Sequence, residues 1–486
     1  MSSRLSQRLV VPIMTVSTTF ICIVDGAITT VALPSIARQF ALTPAALDSV
    51  VVVYPVCLAM MIPASAWLVE RFGGRSMLLL SLTVFTLASG LCGAAPGLTA
   101  LIAARALQGL AAGLLTPTSQ ALLFRTFDQT EQVRLSRLLI IPQQIAPALA
   151  PLLGGVLVTS LSWRWVFYVN LPVGALAILF GLLFLAEHHD HRAGRLDLPG
   201  LLLSGGGTAI LMYGVCAGPD LGWARPQVLG SLAGGALLLG LAVRTMLRAP
   251  EPILRLRLFG DRLFRDTNLV GLVGHIPMMG AMYLGPLLIQ EARGGSALDS
   301  GSSTFTEAFG VLLTMQVVGV VYARIGPRVI IGTGMLGVAA VMLLFAGTDA
   351  QTGLWTFRAY MFLLGLAMGA VFMPTTVASF TAVARADVAH AATLNTVVRQ
   401  TGAALAPAVV TTVLMLGSTG AERAHPALDA YRNGYLVLAA IAVAAGLFAF
   451  TMPDARTRRD AGDPAGPGDP AARPDPVGSE PSPQQV

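Results

Sequence analysis

The sequence predicts an all-α integral membrane protein with fourteen transmembrane helices: two six-helix bundles in parallel repeat, with two helices inserted between them. Three observations predict it. The 486 residues are 55% apolar and only 12% charged, with a mean hydropathy of +0.71. A soluble chain of this length cannot hide so much apolar surface, so lipid must be the solvent for most of it. The apolar residues fall into runs long enough to cross a bilayer, and three separated motifs recur at nearly one offset.

The runs lie at roughly 10–33, 46–69, 76–95, 98–124, 134–159 and 164–186, then 198–217 and 227–247, then 264–290, 301–322, 328–348, 354–383, 390–417 and 432–452. Each suits a hydrocarbon core of about 30 Å. The first follows a short polar stretch with Arg4 and Arg8 and no small-residue cleavage site, so it reads as a retained helix and not a signal peptide. The fifth is unusual. "QQIAPALAPLLGG" (143–155) sets Gln143, Gln144, Pro147, Pro151, Gly154 and Gly155 inside an apolar run. Prolines within a span are tolerated where protein or a cavity repairs the freed backbone, so this helix should bend against a neighbour.

Repeats justify the division into bundles. "QQIAPALAP" (143–151) matches "RQTGAALAP" (399–407), and "GLAAG" (109–113) matches "GLAMG" (365–369), both at an offset of 256. "ERFGGR" (70–75) matches "ARIGPR" (323–328), keeping Arg71/Arg324, Gly73/Gly326 and Arg75/Arg328. Each helix is displaced by eight runs, an even number, so both copies cross the membrane in the same sense. Six-helix bundles would give six, which leaves the seventh and eighth runs as the insertion. The expected divisions are 1–190, 191–262, 263–452 and a disordered tail, 453–486, with eight prolines. With a cytoplasmic N-terminus, 22 arginines fall inside, seven outside and two (Arg105, Arg399) within spans. The positive-inside rule therefore expects both termini in the cytoplasm.

Several functions are disfavoured. All 31 basic residues are arginine, which removes the phosphate-binding loop lysine and Schiff-base chemistry; a G+C-rich genome also accounts for the bias. Cys22, Cys57, Cys92 and Cys216 all lie in apolar runs and read as small core residues. "EHHDH" (187–191) has no spaced partner set and reads as solvated loop. No metal site, catalytic residue or cofactor is expected. "PILRLRLFGDRLF" (252–264) reads as a basic amphipathic stretch on the inner leaflet.

With these motifs in order, the chain resembles the fourteen-helix drug:proton antiporters of the major facilitator superfamily. "VDGAITTVALPSIA" resembles that family's helix-1 motif with Asp25 at the acidic position, "ASAWLVERFGGR" (64–75) its loop motif, "RALQGLAAG" (105–113) its helix-4 motif, and 143–155 its antiporter motif. "WRWVFYVNLPVG" (163–174) and "LDLPGLLLSGGG" (196–207) are further family-like runs. The chain departs from the pattern at Ala66, Glu70, Gly74, Ala150 and Ala406.

Asp25 and Arg105 are costly inside a bilayer, and intramembrane charges are by default functional. The resemblance places Arg105 near helix 1, so the pair is the expected proton-coupling element; a static ion pair is the structural alternative. Glu307 and His275 are possible substrate or proton groups, and Gln143, Gln144, Arg399 and Gln400 occupy equivalent places in the two halves. Glu70, Arg71, Gly73, Arg75, Arg324, Gly326 and Arg328 edge the expected cytoplasmic gate. The resemblance implies export of small amphipathic drugs, cationic ones included, driven by the proton motive force, by a monomer in a bacterial cytoplasmic membrane. A self-resistance exporter for one natural product is the alternative. An uptake symporter, a membrane enzyme or a sensor fits less well, and no nucleic acid is expected as partner.

Overall fold

The computed structural model describes residues 6–40, 44–127, 131, 146, 149–150, 153–186, 197–250, 252–294, 297–349, 351–381, 383–384, 387–416 and 428–453. The described residues form helices joined by short turns and contain no strand. In lipid this follows from the backbone: each N–H and C=O must be paired within its own segment. The helices are α1 (Gln7–Phe40), α2 (Pro44–Met61), α3 (Ser65–Phe72), α4 (Gly74–Ala94), α5 (Leu98–Thr126), α6 (Trp165–Tyr168) and α7 (Asn170–Phe184). Then come α8 (Leu198–Leu221), α9 (Pro226–Arg248), α10 (Arg262–Leu287), α11 (Ala297–Ile325), α12 (Pro327–Ala346), α13 (Leu354–Thr381), α14 (Val388–Leu416) and α15 (Leu428–Ala449). A 3₁₀ turn at Ile62–Ala64 joins α2 to α3 into one span, and a π turn at Leu288–Ala292 ends α10 just after Pro286.

Among the described residues, thirteen stretches are long and apolar enough to cross a membrane. Fourteen are expected from the sequence; the missing one is the fifth run, of which 153–160 is helical and Gln143, Gln144, Pro147 and Pro151 lie outside the described residues. The "EHHDH" stretch and the tail after Pro453 lie outside them as well. Local chemistry marks the helix ends. Asp197 and Asp261 accept hydrogen bonds from the backbone N–H of Gly200 and Phe264, capping α8 and α10. Gly73 (φ 87°) and Gly326 (φ 84°), the paired glycines of the loop repeat, both take the left-handed conformation that turns one span into the next.

The repeat is visible in the packing. A side-chain carbon at Gly109 or Gly113 in α5 would run into the backbone carbonyls of Tyr54 and Leu58 in α2. At Gly365 and Gly369 in α13 it would meet those of Glu307 and Val311 in α11. The "GLAAG" and "GLAMG" copies thus make the same glycine seam in each half. Between the halves, α8 and α9 pack on each other through Gly207 and Gly235, and α8 reaches both sides. Gly205 lies against the Met60 carbonyl of α2, while the Trp223 indole, just past α8, donates to the Thr412 hydroxyl of α14 at 2.7 Å. The second half has the larger apolar core, including Met335, Phe345, Met361, Leu364 and Tyr435. The stretch 252–264 departs from expectation: Ile253 and Leu254 are buried with Phe264, Phe380 and Val388, so its apolar face is used by the protein and not by lipid.

Candidate functional site

Asp25 is enclosed at 0% exposure in the middle of the first half. Arg105 Nη1 donates to its Oδ2 at 2.8 Å, while Gln108 Nε2 and Asn170 Nδ2 donate to its Oδ1 at 2.7 and 2.8 Å. The network continues outward. Arg105 Nη1 also reaches Gln108 Oε1 at 2.8 Å, and Asn170 donates to the Ser89 hydroxyl at 3.0 Å, which donates to the Phe167 carbonyl. The guanidinium stacks 4.3 Å above the Tyr54 ring. Five helices (α1, α4, α5, α6 and α7) therefore hydrogen-bond into one network, and α2 contributes the ring. A carboxylate inside a membrane is tolerated only with such partners, because each lone pair left bare costs a desolvation penalty. Helix geometry assembles it: Arg105 and Gln108 are one turn apart on α5, on the face turned to α1. Two buried atoms, Arg105 Nε and Tyr54 Oη, have no partner.

A second set of contacts joins the halves at the end where α1 begins. Glu70, in the last turn of α3, meets His390, in the first turn of α14, at 3.2 Å; both are buried, at 8% and 3% exposure. Ser65 and Thr393 share a hydrogen bond of 2.7 Å across the same seam, and the Phe124 and Phe380 rings stack at 4.0 Å. Arg255, in the segment before α10, pairs with Asp387, just before α14. The predicted gate arginines do not make these contacts. Arg71, Arg324 and Arg328 are exposed, and Arg75 donates to the Leu182 carbonyl within its own half. At this end the halves are joined by Glu70 and by His390, a residue that nothing in the sequence singles out as its partner. At the offset of 256, His390 does match another basic residue, Arg134. Gly74, where the family pattern has a basic residue, lies against the Leu122 side chain, which would have to move to admit a larger residue.

The remaining candidates separate. Gly154 is buried against Ile28 and Val31 of α1, as a close seam requires, whereas Gly155 has open space beside it. Glu307 is not at a water interface: at 2% exposure it is buried where α11 packs on α13. His275 Nδ1 donates to the Gly271 carbonyl at 2.6 Å, and its ring lines a small cavity of the second half together with Arg399. Gln400 is half-buried, and Ala150 and Ala406 are fully buried. The symmetry fails at the charges: at the repeat offset Arg105 and Gln108 correspond to Met361 and Leu364, both in the apolar core. Among the described residues no group of three or more His, Cys, Asp or Glu side chains is placed to hold a metal.

The Major Facilitator Superfamily profile matches residues 15–247 and 267–479. The multidrug resistance protein B homolog of Mycobacterium tuberculosis is 30% identical over 395 residues, covering 80% of this chain and 73% of its own. An uncharacterized transporter of Bacillus subtilis, YcnB, is 27% identical over 440 residues, covering 89% and 92%. The structure of human MFSD10, titled an organic anion transporter, superimposes with a TM-score of 0.64 over 91% of this chain and 97% of its own, at 14% identity, a likeness of fold. With the profile spanning most of its length, the chain belongs to the Major Facilitator Superfamily.

Proposed function

We propose that this transporter exports small amphipathic drugs or antibiotics in exchange for protons, by alternating access across a bacterial cytoplasmic membrane. The observation that carries the reading is the Asp25 network: a fully buried carboxylate at membrane depth, bound by Arg105, Gln108 and Asn170. Relatives named as multidrug resistance proteins support the substrate class. The chain divides at 1–190, 191–262 and 263–452, acts as a monomer and uses no cofactor beyond the proton motive force. Both termini lie in the cytoplasm, so the Glu70–His390 seam is the inner gate and this conformation is closed to the cytoplasm.

The mechanism follows from hydrogen-bond chemistry. Ionised Asp25 accepts from three donors and neutralises Arg105. A proton arriving from outside turns one acceptor oxygen into a donor and cancels the charge. Arg105 then loses its counter-ion, and α5, which carries both Arg105 and half of the glycine seam, is free to shift against α1 and α2. Loss of the proton to the cytoplasm restores the pair. A static ion pair would hold the same geometry but would not couple flux to pH. Everted vesicles containing the protein separate the two: an added substrate should dissipate a preformed pH gradient, and no response to any amphipathic drug would reject the exchange reading.

A further inference from the structure

The second half carries a cation that the Asp25 network does not use. Arg399 lies eleven residues past the start of α14, about 17 Å along its axis at 1.5 Å per residue, which is membrane depth. Among the described residues no carboxylate pairs with it and no hydrogen bond ends on its guanidinium. It lines a cavity of about 20 Å³ with His275, Thr375, Thr376 and Asn395, room for one small group and not for a whole drug. The other polar groups there offer acceptors, because their protons are spent elsewhere; Asn395 Nδ2 donates to Asn268 Oδ1. Thr375 and Thr376 spend their hydroxyl protons on the Val371 and Phe372 carbonyls, Asn395 Oδ1 has no partner, and His275 has spent Nδ1 on Gly271. Arg399 is half-buried, and an arginine at membrane depth with no carboxylate partner among the described residues is expensive and calls for a counter-ion. Nothing else in the cavity neutralises it.

We propose that this cavity receives the acid group of the transported molecule: the substrate is an amphiphile bearing a carboxylate or another oxygen anion. Arg399 holds the anion, and a hydroxyl or N–H beside the acid meets Asn395 Oδ1 and His275 Nε2. The proposal rests on the export reading but is tested apart from it, by binding. The purified protein in neutral detergent micelles is titrated with two dyes on one scaffold: rhodamine B, with a free carboxylate, and rhodamine 6G, whose carboxyl is esterified. The ratio of rhodamine B to rhodamine 6G affinity should fall at least tenfold in Arg399→Gln and less in Arg399→Lys, which keeps the charge. On the wild type, salicylate should displace rhodamine B and neutral salicylamide should not. An unchanged ratio in Arg399→Gln, or equal displacement by both competitors, overturns the proposal. Displacement of rhodamine B by phosphatidylglycerol and not by salicylate would also overturn it, assigning the site to lipid. Binding as described, with no proton exchange in vesicles, would instead sink the export reading and leave the anion site standing.

Discussion

Asp25 is bonded to side chains 80, 83 and 145 residues away along the chain. Asp25 and Arg105 are legible in the sequence because a charge in an apolar run is expensive and stands out. Gln108, Asn170 and Ser89 are not, because a neutral polar residue in such a run carries no signal until the fold shows what it touches. The same limit hides His390, which is 320 residues from Glu70 and sits in an apolar run. The Arg105 geometry makes a specific demand. Its flat guanidinium donates from Nη1 to Asp25 and Gln108 while its plane stacks on Tyr54, and an ammonium cannot stack in this way. Arg105→Lys should therefore lose nearly as much drug-driven proton flux as Arg105→Ala, at least tenfold against wild type. Flux measured in proteoliposomes at matched protein density decides it, and a lysine variant with wild-type flux would reduce Arg105 to a packing charge.

At the scale of elements, the paired glycine motifs were readable from the repeat alone, and the helix contacts give them a physical purpose. Gly109 and Gly365, equivalent at the repeat offset, let α2 and α5, and α11 and α13, approach until backbone touches backbone. Replacing either with valine forces the pair apart, an overpacking cost of about 1–3 kcal/mol. Both variants should lower the melting temperature of the detergent-solubilised protein by similar amounts. Gly234→Ala in α9, where a side chain meets open space, should leave it unchanged. Unequal losses from the paired sites would mean that the two halves are not stabilised alike. What the sequence does not reveal is the attachment of α8. Its bond to α14 through Trp223 and its contact with α2 through Gly205 tie the insertion to both halves, and hydropathy predicts a span without predicting its neighbours.

Across the whole molecule the two halves share a fold and divide the chemistry. Where the first half places Arg105 and Gln108, the second has Met361 and Leu364, so its core is apolar and its cation is Arg399. The halves meet at the seam of Glu70 and His390, Ser65 and Thr393, and Phe124 and Phe380. If that seam is the inner gate, Glu70→Gln weakens it by removing the charge that His390 faces. In a background with the four native cysteines replaced, a cysteine at buried Ser65 should then react severalfold faster with a maleimide added from the cytoplasmic side. An unchanged rate would place the gate elsewhere.

If proton movement through Asp25 drives export, removing that proton site should abolish it. Asp25→Asn keeps the shape and one acceptor oxygen and removes the titrating group, so it separates coupling from architecture. The measurement is drug-dependent proton flux into proteoliposomes under an imposed pH gradient, with size-exclusion profile and drug affinity recorded on the same preparation. The expected outcome is a folded, drug-binding Asp25→Asn protein whose proton flux does not rise above that of empty liposomes. Drug-dependent flux equal to wild type in that variant would contradict it.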